Sequence, residues 1–124
     1  MKVSQRDVFL LPHPLGNENG EPHPHIVLST NDANHCEETF IAVMFTSSTF
    51  TVDEYSFKLD NSMFEKPLQK EYSHVRIHLV CLAVNEAILS HKLNRMKAGA
   101  FDNLMKEIGE MLFEFEFQRL RHHP

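Results

Sequence analysis

Short apolar segments separated by polar turns make up the first two thirds of the chain, a pattern typical of β-strands. Residues 8–11 and 25–29 are two such segments. Residues 39–45 (TFIAVMF) are nearly continuously apolar and rich in β-branched and aromatic side chains, which predicts a strand buried on both faces. Residues 55–59 (YSFKL) alternate between polar and apolar side chains and predict a half-exposed strand.

Residues 74–84 (HVRIHLVCLAV) begin with a strict alternation of polar and apolar side chains. This period predicts one further strand with an apolar face that includes Val75 and Ile77. Because alternate residues of a strand share a face, Arg76 and His78 are expected side by side on the other face.

From Phe101 onward the apolar spacing changes to steps of three and four, which predicts an amphipathic helix. Its apolar members are Phe101, Leu104, Met105, Ile108, Met111, Leu112 and Phe115. Several short strands followed by a packed helix predict a mainly β domain of the α+β class, built as a small barrel with helical cover.

The stretch richest in Pro, Gly and Asn is residues 12–24 (PHPLGNENGEPHP), which predicts one long exposed loop between the first two strands. Loops of this length in compact domains often carry functional residues. We therefore expect part of a functional site here.

Length and composition limit the class of protein. A chain of 124 residues suits a single domain over residues 1–124, and 42% hydrophobic and 23% charged residues are typical of a globular protein. The N-terminal residues predict neither a signal peptide nor a membrane span. Cys36 and Cys81 form no CxxC pair, which favours a reducing, cytoplasmic location.

The net charge of −5 gives no bulk attraction to a polyanion such as RNA. Binding of RNA would require a locally basic groove away from the acidic residues. Several of these concentrate near the C-terminus, namely Glu107, Glu110, Glu114 and Glu116.

Five short motifs follow one another along the chain. They are Arg6-Asp7-Val8, the glycine-containing loop at 16–20 (GNENG), residues 23–29 (HPHIVLS), Phe45-Thr46-Ser47 and Val75-Arg76-Ile77-His78. Their order resembles the MazF/PemK toxins over nearly the whole chain and implies an SH3-like barrel of the MazF/PemK/CcdB type. The chain departs from the family pattern at three points: a glycine after Arg6 is missing, His23 replaces an arginine, and His78 replaces an aspartate.

The resemblance implies a metal-independent endoribonuclease toxin that cleaves single-stranded mRNA, uses no cofactor, forms a homodimer and is neutralised by an antitoxin. A catalytically degenerate MazF-like binding module is the main alternative, favoured by the negative charge. Toxins of the same barrel that poison DNA gyrase are a weaker alternative, because the chain has no Trp to match the C-terminal tryptophan feature of that branch.

Metal-independent RNA cleavage requires a base for the 2′-OH proton, a cation for the phosphorane and an acid for the leaving 5′-oxygen. The resemblance puts His23, Thr46, Arg76 and His78 at the catalytic positions. We expect His23, Arg76 and His78 in one groove, where the loop 12–24 meets the strand 74–84. The structural alternatives are surface histidines, a Thr-Ser turn at Thr46, and an ion pair of Arg76 with Glu71 or Asp7.

Asn17, Asn19 and Ser47 are the further residues for which the resemblance implies contacts to RNA. For the two asparagines, turn formation is the more common role in such a loop. His13, His23 and His25 lie close in sequence, but no helical i, i+4 pair or cysteine partner accompanies them, so we predict no metal site.

Overall fold

The computed structural model describes residues 2–49, 52–70 and 72–113 of the chain. Within these residues, the strands and helices are β1 (Asp7–Leu11), β2 (His23–Val27), α1 (Asn31–Asn34), β3 (Thr39–Thr46), β4 (Ser56–Leu59), β5 (Ser73–Arg76), β6 (Cys81–Val84), β7 (Asn94–Arg95) and α2 (Ala98–Ile108). A π-helical turn, Gly109–Phe113, extends α2.

The strands form one curled antiparallel sheet in the order β4-β5-β3-β2-β1-β7, with β6 also paired to β3. The central strand β3 has β2 along one edge. On its other edge, β6 pairs with residues 39–42 and β5 with residues 45–46. This half-barrel with one C-terminal helix confirms the predicted fold class and the predicted strand at residues 39–45.

Alternation along the strands sorts the apolar side chains into two cores on opposite faces of the sheet. The first core contains Val43 and Phe45 of β3 and is covered by α2. The second contains Phe40 and Ala42 of the same strand and is covered by the short segment around Ile88. Most of β3 is therefore buried on both faces, as its nearly continuous apolar sequence predicts.

The predicted amphipathic helix is confirmed as far as the structure describes it. Its buried residues are Phe101, Leu104 and Ile108, whereas Met105 is 37% exposed and Phe115 lies outside the described residues. Neither this helix nor α1 is long and apolar enough to cross a membrane, and the described part of the chain contains no other candidate span.

A turn interrupts the strand that the alternation at residues 74–84 predicts. The 3-10 turn Ile77–Leu79 separates β5 from β6, and its first N–H donates to the carbonyl of Tyr55 at 2.9 Å. Arg76 and His78 therefore do not lie side by side on one face of a strand, and that prediction is wrong.

The register of β3 explains the interruption. Val75 of β5 pairs with Phe45, whereas Cys81 of β6 pairs with Ala42. Five residues, 76–80, thus lie opposite two residues of β3, 43–44. Because an antiparallel ladder matches residues one to one, the surplus residues leave the sheet as a turn.

Truncation of Leu104 tests how strongly the first core depends on α2. This side chain is 0% exposed, so Leu104→Ala should lower the free energy of unfolding by about 2–5 kcal/mol. Met105→Ala, at a neighbouring position that is 37% exposed, should change it by less than about 1 kcal/mol. Urea unfolding followed by circular dichroism measures both, and equal effects would contradict this packing of α2.

Candidate functional site

A cavity of about 290 Å³ lies where the ends of β2 and β3 meet the chain that leads into β5. It brings together three of the predicted site residues, His23, Thr46 and Ser47. Its other lining residues are Glu21, Pro22, Pro24, Phe45, Gln69, Lys70 and Ser73. Because three separate stretches of sequence contribute, the cavity exists only in the folded chain.

The pairing of β2 with β3 brings His23 and Thr46 together. β2 begins at His23, two residues before the predicted start at residue 25. His25 pairs with Met44, and the same antiparallel register continued by two residues puts His23 opposite Thr46. Side chains opposed in this way point to the same face, with Cβ atoms about 4.5–5.5 Å apart.

A backbone hydrogen bond orients the imidazole of His23. Its Nδ1 lies 2.7 Å from the carbonyl oxygen of Glu21. Because a carbonyl oxygen can only accept, Nδ1 carries the proton in the neutral ring and donates it. Nε2 then has a lone pair, which is the form that a general base requires.

Thr46 ends β3 with 9% of its surface exposed. Its hydroxyl oxygen accepts a hydrogen bond from the N–H of Ser48 at 3.2 Å, so the turn proposed as the structural alternative is present. A hydroxyl can accept and donate at once, and the proton of Thr46 can therefore still be donated to a ligand. Ser47 is exposed and lines the same cavity.

Lys70 is a basic residue that lines the cavity and that sequence reasoning missed. It lies three residues before β5, and its carbonyl accepts a hydrogen bond from Ser73 Oγ at 3.3 Å. Gln69 adds an amide. No motif marks Lys70, since its position near Thr46 follows from the long-range pairing of β5 with β3.

The charges that line the cavity are mixed. The acidic residue Glu21 lines the cavity together with Lys70 and His23, so the cavity is not the strongly basic groove expected for RNA. Of the acidic residues near the C-terminus, Glu107 and Glu110 do not line it, and the others lie outside the described residues.

Arg76 is not among the residues that line the cavity, and it is 8% exposed and held in an ion pair. Its guanidinium donates to both carboxylate oxygens of Asp53, at 2.8 and 3.1 Å. The sequence suggested Glu71 or Asp7 as the partner of Arg76. Oδ1 of Asp7 instead lies 3.8 Å from Nε of Arg95, and Glu71 lies outside the described residues. The structural alternative for Arg76 is therefore observed, with Asp53 as a partner.

The same ion pair governs the ionisation of Asp53. Hydrogen bonds from Arg76 and then from the N–H of Tyr55 lower the pKa of Asp53 to about 2.

His78 is exposed, with its ring centroid 5.6 Å from that of Tyr55, and does not line the cavity. The cavity that contains His23 includes neither Arg76 nor His78, and one groove that contains all three stays a prediction.

The loop asparagines also lie outside the cavity. They belong to one 3-10 turn, Asn17–Asn19. Nδ2 of Asn19 donates to the carbonyl of Leu15 at 2.5 Å, so this amide stabilises the loop. Asn17 lines a neighbouring depression of about 600 Å³ that shares Glu21 and Pro22 with the cavity.

His25 differs from His23 in its burial. It is 1% exposed, and burial lowers its pKa to about 4, so the ring is neutral near pH 7. Its Nδ1 donates to the carbonyl of His23 at 2.8 Å. Among the residues that the structure describes, no three His, Cys, Asp or Glu side chains are grouped so that they could hold a metal ion.

Solved structures with this curled sheet and C-terminal helix include MazF proteins and endoribonucleases. MazF from Deinococcus radiodurans has a TM-score of 0.68 at 16% identity, over 90% of this chain and 97% of that chain. An endoribonuclease from a mycobacterial species has a TM-score of 0.66 at 10% identity, over 89% and 90%. A mycobacterial endoribonuclease in complex with its cognate antitoxin has a TM-score of 0.63 at 11% identity, over 88% and 91%.

At these identities the structural similarity concerns the fold. The sequence pattern of the PemK-like, MazF-like toxins of type II toxin-antitoxin systems matches residues 4–112. The chain therefore belongs to this toxin family, as the order of its motifs indicates. Among curated proteins, no sequence matches it.

Replacement of Asp53 by Asn should alter the acid sensitivity of the fold. The folded-state pKa is lowered from 3.8 to about 2, so ionised Asp53 stabilises the fold above about pH 4, and this contribution is lost as the pH falls toward 2. Asp53→Asn should melt below the parent near pH 6 but lose less stability between about pH 4 and 2.

Melting temperatures followed by circular dichroism measure this effect. Asp102→Asn, at an exposed position of α2, is the matched control and should follow the parent at every pH. Parallel curves for the parent and Asp53→Asn would contradict a stabilising role of the ion pair.

Proposed function

We propose that this toxin cleaves single-stranded mRNA without a metal ion, at the cavity lined by His23 and Thr46. The orientation of His23 carries the proposal, because its Nδ1 proton is donated to the carbonyl of Glu21 and its Nε2 can accept another. Family membership supports the reaction, and a protein of similar fold is described as an endoribonuclease.

In the proposed mechanism, Nε2 of His23 accepts the proton of the ribose 2′-OH, and the 2′-oxygen attacks the adjacent phosphorus. The bond between phosphorus and the 5′-oxygen of the next nucleotide then breaks. The products are a 2′,3′-cyclic phosphate and a 5′-OH. The leaving 5′-oxygen takes its proton from the ammonium of Lys70. Solvent then returns a proton to the Lys70 amine and takes the proton held by His23.

Negative charge on the phosphorane is stabilised by hydrogen-bond donors in the cavity. These are the hydroxyls of Thr46 and Ser47 together with the ammonium of Lys70. Arg76 was the cation expected from the resemblance, but its guanidinium is bound to Asp53, so we assign this role to Lys70. His78 lies outside the cavity, and we assign it no step.

A binding module that has lost the reaction is the second candidate. Acidic Glu21 lines the cavity, the chain carries a net charge of −5, and His23 stands where the family has an arginine. All three features weaken the attraction for RNA phosphates. Such a module would bind a partner without cleaving RNA.

RNA cleavage by single variants tests these roles. The parent should cleave a long unstructured RNA in the presence of a chelator, and His23→Gln should lower the rate about a hundredfold or more, because the base is removed. Lys70→Met should lower it by about a hundredfold, whereas Lys70→Arg keeps the charge and should retain more activity. Single-turnover rates from gel electrophoresis measure these effects.

Lys66→Met is the matched control for Lys70→Met. Lys66 is exposed and does not line the cavity, so this variant should cleave at the parental rate. Absence of cleavage by the parent would favour the binding module. Parental activity in His23→Gln would mean that another group is the base.

We further propose that the toxin is a cytoplasmic homodimer with an antitoxin partner. Ile41 of β3 and Leu82 of β6 pair directly and are 42% and 72% exposed, and Val84 is 50% exposed. In the described sheet, β6 has β3 as its strand neighbour. An apolar strip at a sheet edge is a surface that a second copy can bury.

The mass in solution tests the dimer. Light scattering at micromolar concentration should give twice the chain mass of 14.4 kDa. Leu82→Glu should give the monomer, because association would bury a charge, whereas Leu15→Glu, at a loop position that is 59% exposed, should remain dimeric. A parental mass near 14.4 kDa would contradict the proposal.

A further inference from the structure

His13, in the loop between β1 and β2, packs edge-on against His23. The ring centroids are 5.7 Å apart and the ring planes make an angle of 82°. His13 lines a different cavity, together with His25 and β6, and is not among the residues that line the cavity with Thr46. It therefore contacts the proposed base without lining the proposed cleavage site.

Two features of the loop hold the ring of His13. The N–H of Leu15 donates to Nδ1 of His13 at 3.1 Å, so the neutral ring carries its proton on Nε2. Gly20 lies against the same ring, and a β-carbon at this position would come within 3.2 Å of Cδ2. The φ of Gly20 is +145°, which residues with a side chain rarely adopt.

The two rings carry their protons on opposite nitrogens, Nε2 in His13 and Nδ1 in His23. Burial, and then repulsion from His23, lowers the pKa of His13, so its ring is neutral near pH 7. The other titratable groups around His23 are His25, which is buried and neutral, and Glu21 and Lys70 in the cavity.

We propose that His13 is a positioning residue for His23 in RNA cleavage, a role that rests on the function proposed above. The neutral ring of His13 occupies the space beside His23 and prevents that imidazole from turning away from the carbonyl of Glu21. His23 thereby keeps the lone pair of Nε2 available in the cavity. His13 takes no part in proton transfer.

Nuclear magnetic resonance of the imidazole nitrogens tests this arrangement without RNA. At about pH 8, the parent should show His23 protonated on Nδ1 and His13 protonated on Nε2. In His13→Ala, His23 should populate both tautomers, because its ring is no longer held. An unchanged Nδ1–H tautomer of His23 in His13→Ala would overturn the proposal.

A titration of His13 gives a second measurement that needs no RNA. His23→Gln should raise the titration midpoint of His13, because the repulsion from an imidazolium is removed. His35→Gln, which changes an exposed histidine of another segment, is the control and should leave that midpoint unchanged. No rise in His23→Gln would contradict the contact between the rings.

Cleavage rates then test the positioning role. His13→Ala should lower kcat roughly ten- to a hundredfold with little change in KM, because a misplaced base slows the reaction without weakening binding. His13→Phe keeps an aromatic ring and should recover most of the rate. Gly20→Ala crowds the ring of His13 and should resemble His13→Ala.

The two proposals fail in different ways. If His13→Phe and His13→Ala both melt cooperatively and lose the same fraction of kcat, the positioning role is overturned. Cleavage of RNA by the parent would in that case still support the proposed function. Absence of cleavage by the parent would overturn the proposed function, and the tautomers of His23 in His13→Ala would still decide whether His13 orients that ring.

Discussion

The central strand β3 must satisfy two demands at once. Its backbone pairs with β2 on one edge and with β5 and β6 on the other, and most of its side chains are buried on both faces. Only apolar side chains that pack well in a strand meet both demands, which explains its composition. The site lies where this constraint ends, because Thr46 closes the strand and its neighbour Ser47 is exposed. The polar side chains of the site thus lie at the end of β3, the strand that the rest of the sheet holds most rigidly.

The three histidines near the site show how local hydrogen bonds give the same type of side chain different properties at different positions. The Nδ1 atoms of His23 and His25 donate to the carbonyls two residues earlier, whereas Nδ1 of His13 accepts from the N–H of Leu15. Burial then separates His25 from His23, because His25 is 1% exposed whereas His23 lines the cavity with Thr46. Neither the tautomer nor the burial could be assigned from the spacing of these residues alone.

Arg76 illustrates how burial determines the role of a charged group. A guanidinium with little exposure requires paired acceptors, and the carboxylate of Asp53 and the hydroxyl of Ser56 provide them. These bonds tie the chain before β4 to the end of β5. The basic residue that lines the cavity beside His23 is Lys70, whose ammonium is a single charge on a flexible stem rather than a rigid fork. A lysine holds a phosphate less directionally than an arginine does.

The sequence by itself determined the first four strands, the C-terminal helix and the family, because alternation, helical spacing and motif order are local properties of the chain. It also predicted His23 and Thr46 as site residues, and the register of β2 and β3 brings these two together. Only the tertiary structure decided the place of His78. The turn that contains it forms because residues 76–80 lie opposite only residues 43–44 of β3, and this difference in length depends on where β5 and β6 pair along β3. The ion pair of Arg76 with Asp53 and the place of Lys70 were likewise decided by long-range pairing, which no local pattern encodes.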